Sequence, residues 1–267
     1  MQKISDHDIL ELEETNKDRR FVTALARGLD VLRSFKPGDI SLGNLEIAKR
    51  TGLPKPTISR LTYTLTQLGY LTYSPKHGTY QLGSAVLSLG YAMLSGLSIR
   101  ERARPYLQEL SNELDVTVAL GGRDRMEMVY LEVCRGPAAV TLTIDVGTRI
   151  PLASTAMGRA LLAQLPHGER DYLMAHVKKR CDSPEEYSKL ETGVEKAVRD
   201  VASHGFCLSV GNWRPDVNAV GVPLVGHDQN VYGLICGGPA FRVSADMLKK
   251  ECGPRLVELA RKINVSV

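Results

Sequence analysis

The sequence predicts an α+β protein with an N-terminal winged helix-turn-helix, a connecting helix, and a larger domain in which helices flank an antiparallel sheet. Three patterns predict this architecture. Residues 40–82 follow the order helix, tight turn, helix and two-stranded hairpin. Residues 82–97 carry apolar side chains at helical spacing, and beyond residue 99 helical and strand-like segments alternate. At 267 residues the chain is long enough to build two hydrophobic cores.

The domain boundaries are expected where these patterns change. We expect an N-terminal extension at 1–20, the winged helix-turn-helix at 21–83, the connecting helix at 84–98 and the C-terminal domain at 99–267. The extension is polar and highly charged, which is typical of disordered segments. The first helix of the winged domain is predicted over 22–36. Its core-facing side is predicted to carry Val22, Leu25, Leu29, Leu32 and Phe35.

The helix-turn-helix itself is predicted over residues 43–68. Its first helix covers 43–51 and ends at Gly52, the residue type that most easily adopts the left-handed conformation of such a turn. The second helix covers 55–68 after Pro54, where a missing N–H is harmless. The side chains predicted to point inward are Leu45, Ile47, Ala48, Ile58, Leu61, Leu65 and Leu68.

The outer face of the second helix has the composition of a DNA-binding surface. It holds no acidic residue and is dominated by hydroxyls and cations, which suit base edges and phosphates. The candidate contacts are Lys55, Thr57, Ser59, Arg60, Thr62 and Tyr63. A helical hairpin with a strand pair and no ligand is the alternative interpretation.

A hairpin with a basic turn follows this helix. Residues 70–73 and 79–82 alternate like strands around a turn that contains Lys76 and His77, which we expect to touch the flanking DNA backbone or minor groove. Residues 21–83 hold eight Lys and Arg against three acids, whereas the whole chain carries a net charge of only +4. A positive surplus concentrated in one module favours nucleic-acid binding.

The connecting segment has a clean apolar seam at Leu82, Val86, Leu89, Met93 and Leu97. Such a seam can form a dimer interface, and two-fold DNA sites favour dimers. The alternative is that the seam packs against the protein's own domains.

Beyond residue 99, strands are predicted at 116–121, 126–133, 139–144, 206–210, 219–225 and 231–237, with a turn at 121–125. Helices are predicted at 100–114, 154–165, 184–204 and 244–263. This order fits an antiparallel sheet flanked by helices.

Several function classes find no support in the sequence. The chain lacks G-x-S-x-G, H-E-x-x-H, G-x-G-x-x-G after a strand, and a Walker loop, so we expect neither catalysis nor a cofactor. Its six histidines show no metal-ligand spacing, and its five cysteines show no C-x-x-C pair, which favours free thiols. No run of eighteen apolar residues and no signal-peptide pattern is present, so we expect a cytoplasmic protein without a membrane partner.

Six segments of the chain together resemble one known family. The segments LARGLDVLRSF, IAKRTGLPKPTISRLTYTLTQLGYL and GTYQLG resemble the DNA-binding domain of the isocitrate-lyase-regulator (IclR-type) transcription factors. The resemblance continues through PLASTAMGRALLAQL, VNAVGVPLV and GGPAFRV, so that it spans residues 21–262. The opening FVTALARGLDVLRSF is most similar to the subgroup that controls aromatic-acid catabolism.

The resemblance implies a ligand-responsive regulator, repressor or activator, of a catabolic operon. It implies a homodimer or tetramer on a palindromic or repeated double-stranded operator, with Arg27 as a phosphate contact. It also implies a GAF- or profilin-like effector-binding domain with a curved antiparallel sheet, which binds a small organic acid; the subgroup resemblance implies an aromatic one. A winged-helix sensor that acts through protein partners, or a small-molecule enzyme with an appended DNA-binding domain, are the alternatives.

The effector pocket is expected at the start of the helix at 154–165, because free N–H groups there favour an anion. Ser154 and Thr155 precede that helix; an ordinary helix cap is the alternative. The positions that the family implies for the pocket are Ala156, Met157, Ser209, Val217, Ala219, Ile235 and Gly237. The chain departs from the family in the loop that carries Trp213 and Arg214, a pair suited to an aromatic carboxylate. An exposed loop without a ligand is the alternative there.

Overall fold

The computed structural model describes residues 20–137 and 142–265. The chain divides into two compact units, Met1–Gly96 and Leu97–Val267, and each unit is described by itself. The expected extension at 1–20 lies outside the described residues except for its last residue. Among the described residues, no helix has the length and apolar character needed to cross a membrane.

The N-terminal unit is a winged helix-turn-helix, as predicted. Its helices are α1 (Thr23–Arg33), α2 (Asn44–Thr51), α3 (Lys55–Gln67) and α4 (Ser84–Ser95). Its strands are β1 (Leu42–Gly43), β2 (Leu71–Ser74) and β3 (Thr79–Leu82), which form an antiparallel sheet in the order β1-β3-β2. The short strand β1 was not predicted, since two residues are too few to show a period.

The turn between α2 and α3 depends on two residues that the sequence singled out. Gly52 caps α2 with φ of 70°, in the left-handed region that glycine tolerates best. The predicted start of the second helix at residue 55 is confirmed, with Pro54 at the N-cap position. Pro54 has an extended backbone and precedes α3, whose first turn contains Pro56.

The core of the N-terminal unit contains Val31, Leu42, Ile47, Ile58, Leu65 and Leu71. Five residues predicted to face it are exposed instead: Val22, Leu25, Leu29, Leu45 and Leu68. The core is contacted instead by Val31 and Leu32 of α1 and by Phe35 after it, and the predicted set did not include the fully buried Val31. The helix itself was therefore predicted correctly, but the side of it that faces the core was predicted wrongly.

The C-terminal unit begins with α5 (Ser98–Leu114) and contains a curved six-stranded antiparallel sheet. The strands are β4 (Thr117–Asp124), β5 (Glu127–Arg135), β6 (Arg149–Pro151), β7 (Cys207–Val210), β8 (Val217–Val225) and β9 (Val231–Pro239). Their order is β6-β5-β4-β9-β8-β7. A register shift between Leu120 and Gly121 interrupts the pairing of β4 with β5, and such bulges bend a sheet.

The remaining helices cover the sheet. They are α6 (Ala156–Gln164), α7 (His167–Arg180), α8 (Pro184–His204), α9 (Ala245–Met247), a π-helical turn (Leu248–Cys252) and α10 (Gly253–Val265). The predicted helix at 184–204 has the same bounds in the structure. Helix α7 was missed, because it buries only Leu173, Met174 and Val177 and is otherwise polar.

Two predictions for the sheet were wrong. The strand expected at 139–144 falls partly on residues outside the described ones, and residues 142–144 are not in a strand; the edge strand is β6. The turn expected at 121–125 is shorter, because β4 continues to Asp124.

Close packing of α6 on the sheet determines where a ligand could bind. A Cβ atom at Gly221 on β8 would lie 2.6 Å from the carbonyl carbon of Ala156 and still closer to its oxygen. Only glycine therefore lets the first turn of α6 lie directly on the strand. Gly158, within that turn, is equally close to the Leu152 backbone. A Cβ atom added at Gly158 would lie 2.6 Å from the carbonyl carbon of Leu152.

Candidate functional site

The outer face of α3 presents polar side chains to solvent. Lys55, Ser59, Arg60 and Tyr63 are exposed, and Thr57 is half-buried. The helix has no acidic residue over its thirteen positions. The structure thus brings together five of the six predicted DNA contacts of this helix on an accessible surface.

Thr62 is the exception, and its assignment as a DNA contact was wrong. Its side chain is fully buried, and its hydroxyl donates to the Ile58 carbonyl at 2.9 Å and lies 3.3 Å from Asn44 Oδ1. The amide of Asn44 also donates to Ser59 Oγ at 3.3 Å. Thr62 and Asn44 therefore join α2 to α3, and Thr62 cannot reach DNA.

Charge in the described part of the N-terminal unit is distributed so that several exposed cations are not neutralised. The three acids between residues 20 and 96 are all in ion pairs: Asp30 with Arg33, and Asp39 and Glu46 with Arg50. Hydrogen bonding to Arg50 lowers the pKa of Asp39, and the two carboxylates raise the pKa of Arg50.

Five exposed basic side chains of this unit have no ion-pair partner among the described residues: Arg27, Lys49, Lys55, Arg60 and Lys76. The positive surplus predicted from composition is therefore available at the surface.

The turn between β2 and β3 carries the two predicted wing residues. Lys76 and His77 are both exposed, and His77 Nδ1 lies 3.1 Å from Ser74 Oγ. Gly78 has φ of 64°, which closes the turn in the left-handed region. Arg27 is exposed on α1, a separate element of the same unit. The wing thus presents a cation and an imidazole at its tip.

The C-terminal unit contains a cavity, here called the α6 cavity, between the start of α6 and the sheet. The empty space there is about 360 Å³ when the open solvent at its mouth is included, but little of it is wide enough for a water molecule. Its lining residues are Tyr130, Leu142, Ile150, Thr155, Ala156, Met157, Ser209, Trp213, Val217, Ala219 and Ile235. None of these side chains is charged, so the cavity suits a largely apolar ligand.

Eight of the eleven predicted pocket residues line the α6 cavity, although they come from four separate segments of the chain. Three do not: Ser154, Arg214 and Gly237. The carbonyl of Ser154 accepts a hydrogen bond from Ser209 Oγ at 3.3 Å, so Ser154 supports the lining rather than forming it. Gly237 lies opposite Ala219 in the sheet.

The first turn of α6 has two backbone donors without a hydrogen-bond partner among the described residues. Thr155 caps the helix: its hydroxyl accepts a hydrogen bond from the Gly158 N–H at 3.2 Å. The N–H groups of Ala156 and Met157 precede the first intrahelical bond, so they have no partner within the helix. Both residues line the cavity. An anionic group of a ligand would find its donors here.

The loop between β7 and β8 separates the two residues that the sequence paired. Trp213 lines the cavity, whereas Arg214 is exposed, with its guanidinium 5.6 Å from the Trp213 ring centroid and 3.5 Å from Asp216. The hypothesis that both residues hold a ligand was therefore wrong for Arg214. The guanidinium of Arg214 lies in solvent beside Asp216 and outside the cavity lining.

Sequence reasoning missed a buried arginine that holds this loop. Arg159 on α6 is only 6 % exposed; its Nε donates to the Ala153 carbonyl and its Nη1 to Asn212 Oδ1, both at 2.9 Å. Burial lowers its pKa, and no carboxylate pairs with it among the described residues. It joins the start of α6 to the loop of Trp213. The available signal was a single charged residue in an otherwise uncharged helix.

Tyr130, Leu142 and Ile150 also line the cavity and were missed. They belong to β5, a loop and β6, and nothing in their local sequence distinguishes them from ordinary core residues. Only the fold brings them to the start of α6.

Comparison with known proteins identifies the family. Residues 91–265 match the model of the bacterial transcriptional regulator IclR C-terminal domain, and residues 24–75 match the IclR helix-turn-helix domain. The chain belongs to the IclR family. Both matched domains are those of transcriptional regulators, not enzymes, which confirms the regulator interpretation and the DNA-binding motif.

Relatives of known sequence or structure cover nearly the whole chain. The HTH-type transcriptional regulator TsaQ1/TsaQ2 of Comamonas testosteroni is 33 % identical over 92 % of this chain and 88 % of its own length. An IclR family transcriptional regulator from Brucella abortus is 47 % identical, with a TM-score of 0.86 over 94 % of each chain.

One structural neighbour contains a bound ligand. It is an IclR homologue from Microbacterium hydrocarbonoxydans complexed with 4-hydroxybenzoate. It is 20 % identical, with a TM-score of 0.68 over 90 % of this chain and 97 % of its own, which shows a shared fold.

Proposed function

We propose that this IclR-family protein regulates a catabolic operon, as a repressor or an activator, in response to a small organic acid bound in the α6 cavity. It acts in the cytoplasm as a homodimer or tetramer on a palindromic or repeated operator. The effector changes the free energy of operator binding, and the cavity and the winged motif are the two sites that this coupling connects.

The observation that carries this proposal is an uncharged cavity at a helix N-terminus. The lining offers apolar surface for the body of a ligand, while the N–H groups of Ala156 and Met157 offer donors for a carboxylate. The homologue complexed with 4-hydroxybenzoate supports an aromatic acid as the class of ligand.

The DNA-binding step uses α3 in the major groove. Arg60, Ser59 and Tyr63 are the candidates for base contacts, because they are exposed in the middle of the helix. Lys55 and Thr57, in its first turn, are the candidates for phosphate contacts. Lys76, His77 and Arg27 are exposed on other elements of the unit and are assigned to the flanking backbone or minor groove.

A homodimer through α4 is the arrangement that the exposed apolar surface favours. No residue of α4 is buried, and Leu87 and Tyr91 are 74 % and 70 % exposed. Leu89 and Met93 of the predicted seam are also exposed. Contiguous apolar surface on a soluble domain marks an interaction site, and a second copy would place two α3 helices on one operator.

The experiment is a titration of a labelled duplex from the region upstream of the protein's own gene. Anisotropy is measured at two salt concentrations, with and without each member of a panel of aromatic and aliphatic acids. We expect tight, salt-sensitive, sequence-selective binding that one acid alters. Arg60→Ala should weaken it, whereas the matched variant Arg261→Ala, at an exposed position of α10, should not.

Two results would contradict the proposal in different places. Weak binding that is equal on unrelated DNA would mean that the winged motif serves protein partners instead. An acid that alters operator binding equally in the wild type and in Ala219→Leu, which fills the cavity, would place the effector site elsewhere.

A further inference from the structure

One polar group in the lining of the α6 cavity has no partner. Tyr130 on β5 is only 3 % exposed, and its hydroxyl makes no hydrogen bond with any residue that the structure describes. Burial raises the pKa of this phenol far above its ordinary value, so the hydroxyl keeps its proton and remains a donor. The hydroxyl oxygen is not one of the described polar atoms that are sealed from solvent without a partner, so water or a ligand in the cavity is its expected partner.

The other two hydroxyls that line the cavity are already engaged. Thr155 Oγ1 donates to the Pro151 carbonyl at 2.8 Å and accepts from the Gly158 N–H. Ser209 Oγ donates to the Ser154 carbonyl. Among the described residues that line the cavity, Tyr130 is therefore the one whose side-chain hydroxyl can still donate a hydrogen bond to a ligand.

The strand register places Tyr130 on the face of the sheet that α6 covers. Tyr130 is paired with Gly121, and Gly121 with Gly233 on β9. A Cβ at either glycine would meet the side chain of Met157, so this row faces α6. Directly opposed residues share a face, so Tyr130 faces α6 too.

The first turn of α6 lies over Gly221 on β8 and over Gly233 on β9, which are three and two strands away from β5. Two to three strand spacings correspond to about 10–14 Å between strand backbones. The donors at the start of α6 and the Tyr130 hydroxyl therefore approach the cavity from opposite sides. Apolar side chains of Leu142, Ile150 and Val217 complete the lining between them.

We propose that Tyr130 is a specificity-determining residue that selects an aromatic carboxylate bearing a second polar substituent opposite the carboxylate. The carboxylate meets the N–H groups of Ala156 and Met157, the ring lies among the apolar side chains, and Tyr130 donates to the far substituent. This inference rests on the proposed function, because it takes the α6 cavity to be the effector site.

The test compares two acids that differ only in that substituent, 4-hydroxybenzoate and benzoate. Binding to the full-length protein is measured by calorimetry and by the fluorescence of Trp213, the single tryptophan, which lines the cavity. The wild type should prefer 4-hydroxybenzoate by roughly 3- to 10-fold, the contribution of one neutral hydrogen bond. Tyr130→Phe should lose this preference and bind benzoate at least as well as the wild type, since no hydroxyl is then left unpaired.

The matched control is Tyr232→Phe. Tyr232 belongs to the same sheet and is 5 % exposed, but it does not line the cavity. Its hydroxyl donates a hydrogen bond to Asp228 at 2.7 Å. This variant should keep the wild-type preference. Circular dichroism spectra of both variants verify that they are folded.

The outcomes separate this inference from the proposed function. If Tyr130→Phe keeps the wild-type preference, or if neither acid binds the wild type, the role of Tyr130 is overturned. The effector site is judged independently, by whether any acid of the panel that alters operator binding loses its effect in Ala219→Leu.

Discussion

Replacing Gly221 by alanine tests how the sheet positions α6, and the sign of its effect is diagnostic. Glycine in the middle of a strand ordinarily costs about 0.5–1 kcal/mol relative to alanine, so a Gly→Ala change should stabilise the protein if the added methyl has room. At Gly221 it has none. The new Cβ would lie 2.6 Å from the carbonyl carbon of Ala156, inside the 3.0 Å that real Cβ atoms essentially never approach.

The magnitude follows from which atoms must move. The opposing atoms are backbone, so no side-chain rotamer can relieve the overlap, and α6 must shift away from β8. Overpacking of this kind costs typically about 1–3 kcal/mol, and the rigid partner favours the upper end. Subtracting the usual gain from removing a glycine leaves a net loss of about 2 kcal/mol. For a domain of this size, that corresponds to a decrease of about 4–8 °C in unfolding temperature.

The assay is thermal unfolding by circular dichroism, together with binding of the effector acid and of operator DNA. Gly168→Ala is the matched control, because its Cβ position in α7 has nothing within 4 Å; it should be neutral or stabilising by up to about 1 kcal/mol. Gly221→Ala should also weaken effector binding, since the first turn of α6 moves, while operator affinity without effector is unchanged. Unfolding of Gly221→Ala at or above the wild-type temperature would refute the packing argument.

Three further outcomes are expected in the N-terminal unit. Arg60→Ala should reduce operator affinity by about 1–3 kcal/mol and relax sequence preference in a binding-site selection; an unchanged preference would remove its role in base recognition. Thr62→Val should destabilise the unit by about 1 kcal/mol in chemical denaturation because buried hydrogen bonds are lost, whereas exposed Thr64→Val should change it little. Because hydrogen bonding to Arg50 lowers the pKa of Asp39, that pair stabilises the fold above the ordinary carboxyl pKa, and its contribution should disappear as pH falls below about 4. Acid titration of Asp39→Asn should lack this component, and an identical pH profile would contradict it.

The elements that could be predicted are those whose causes are local. The bounds of α8 follow from Ser183 as a hydrogen-bonding cap and Pro184 in the first turn, with Gly205 ending the helix in the left-handed region. The turn at Gly52 and the cap at Thr155 are of the same kind. Each depends on groups within a few residues of one another, so sequence spacing is enough to reveal them.

The predictions that failed depended on distant parts of the chain. An amphipathic pattern shows which side of a helix can be buried, but not how much of that side meets a core. Leu68 was expected inside and is exposed, while Thr62 was expected on the DNA side and is fully buried. The Ile58 carbonyl one turn earlier accepts the hydrogen bond of that hydroxyl, and Asn44 on α2, which is distant in the chain, lies against it.

The sequence by itself determined the two modules, the antiparallel sheet, the acid-free face of α3 and the helix start that lines the α6 cavity, because composition, period and caps are properties of neighbouring residues. The tertiary structure decided which side chains enclose the α6 cavity. It placed Tyr130 of β5 on the face of the sheet that α6 covers, buried Arg159 against the loop of Trp213, and left Arg214 in solvent. Strand register and sheet curvature set those distances, and both arise from contacts between residues far apart in the chain.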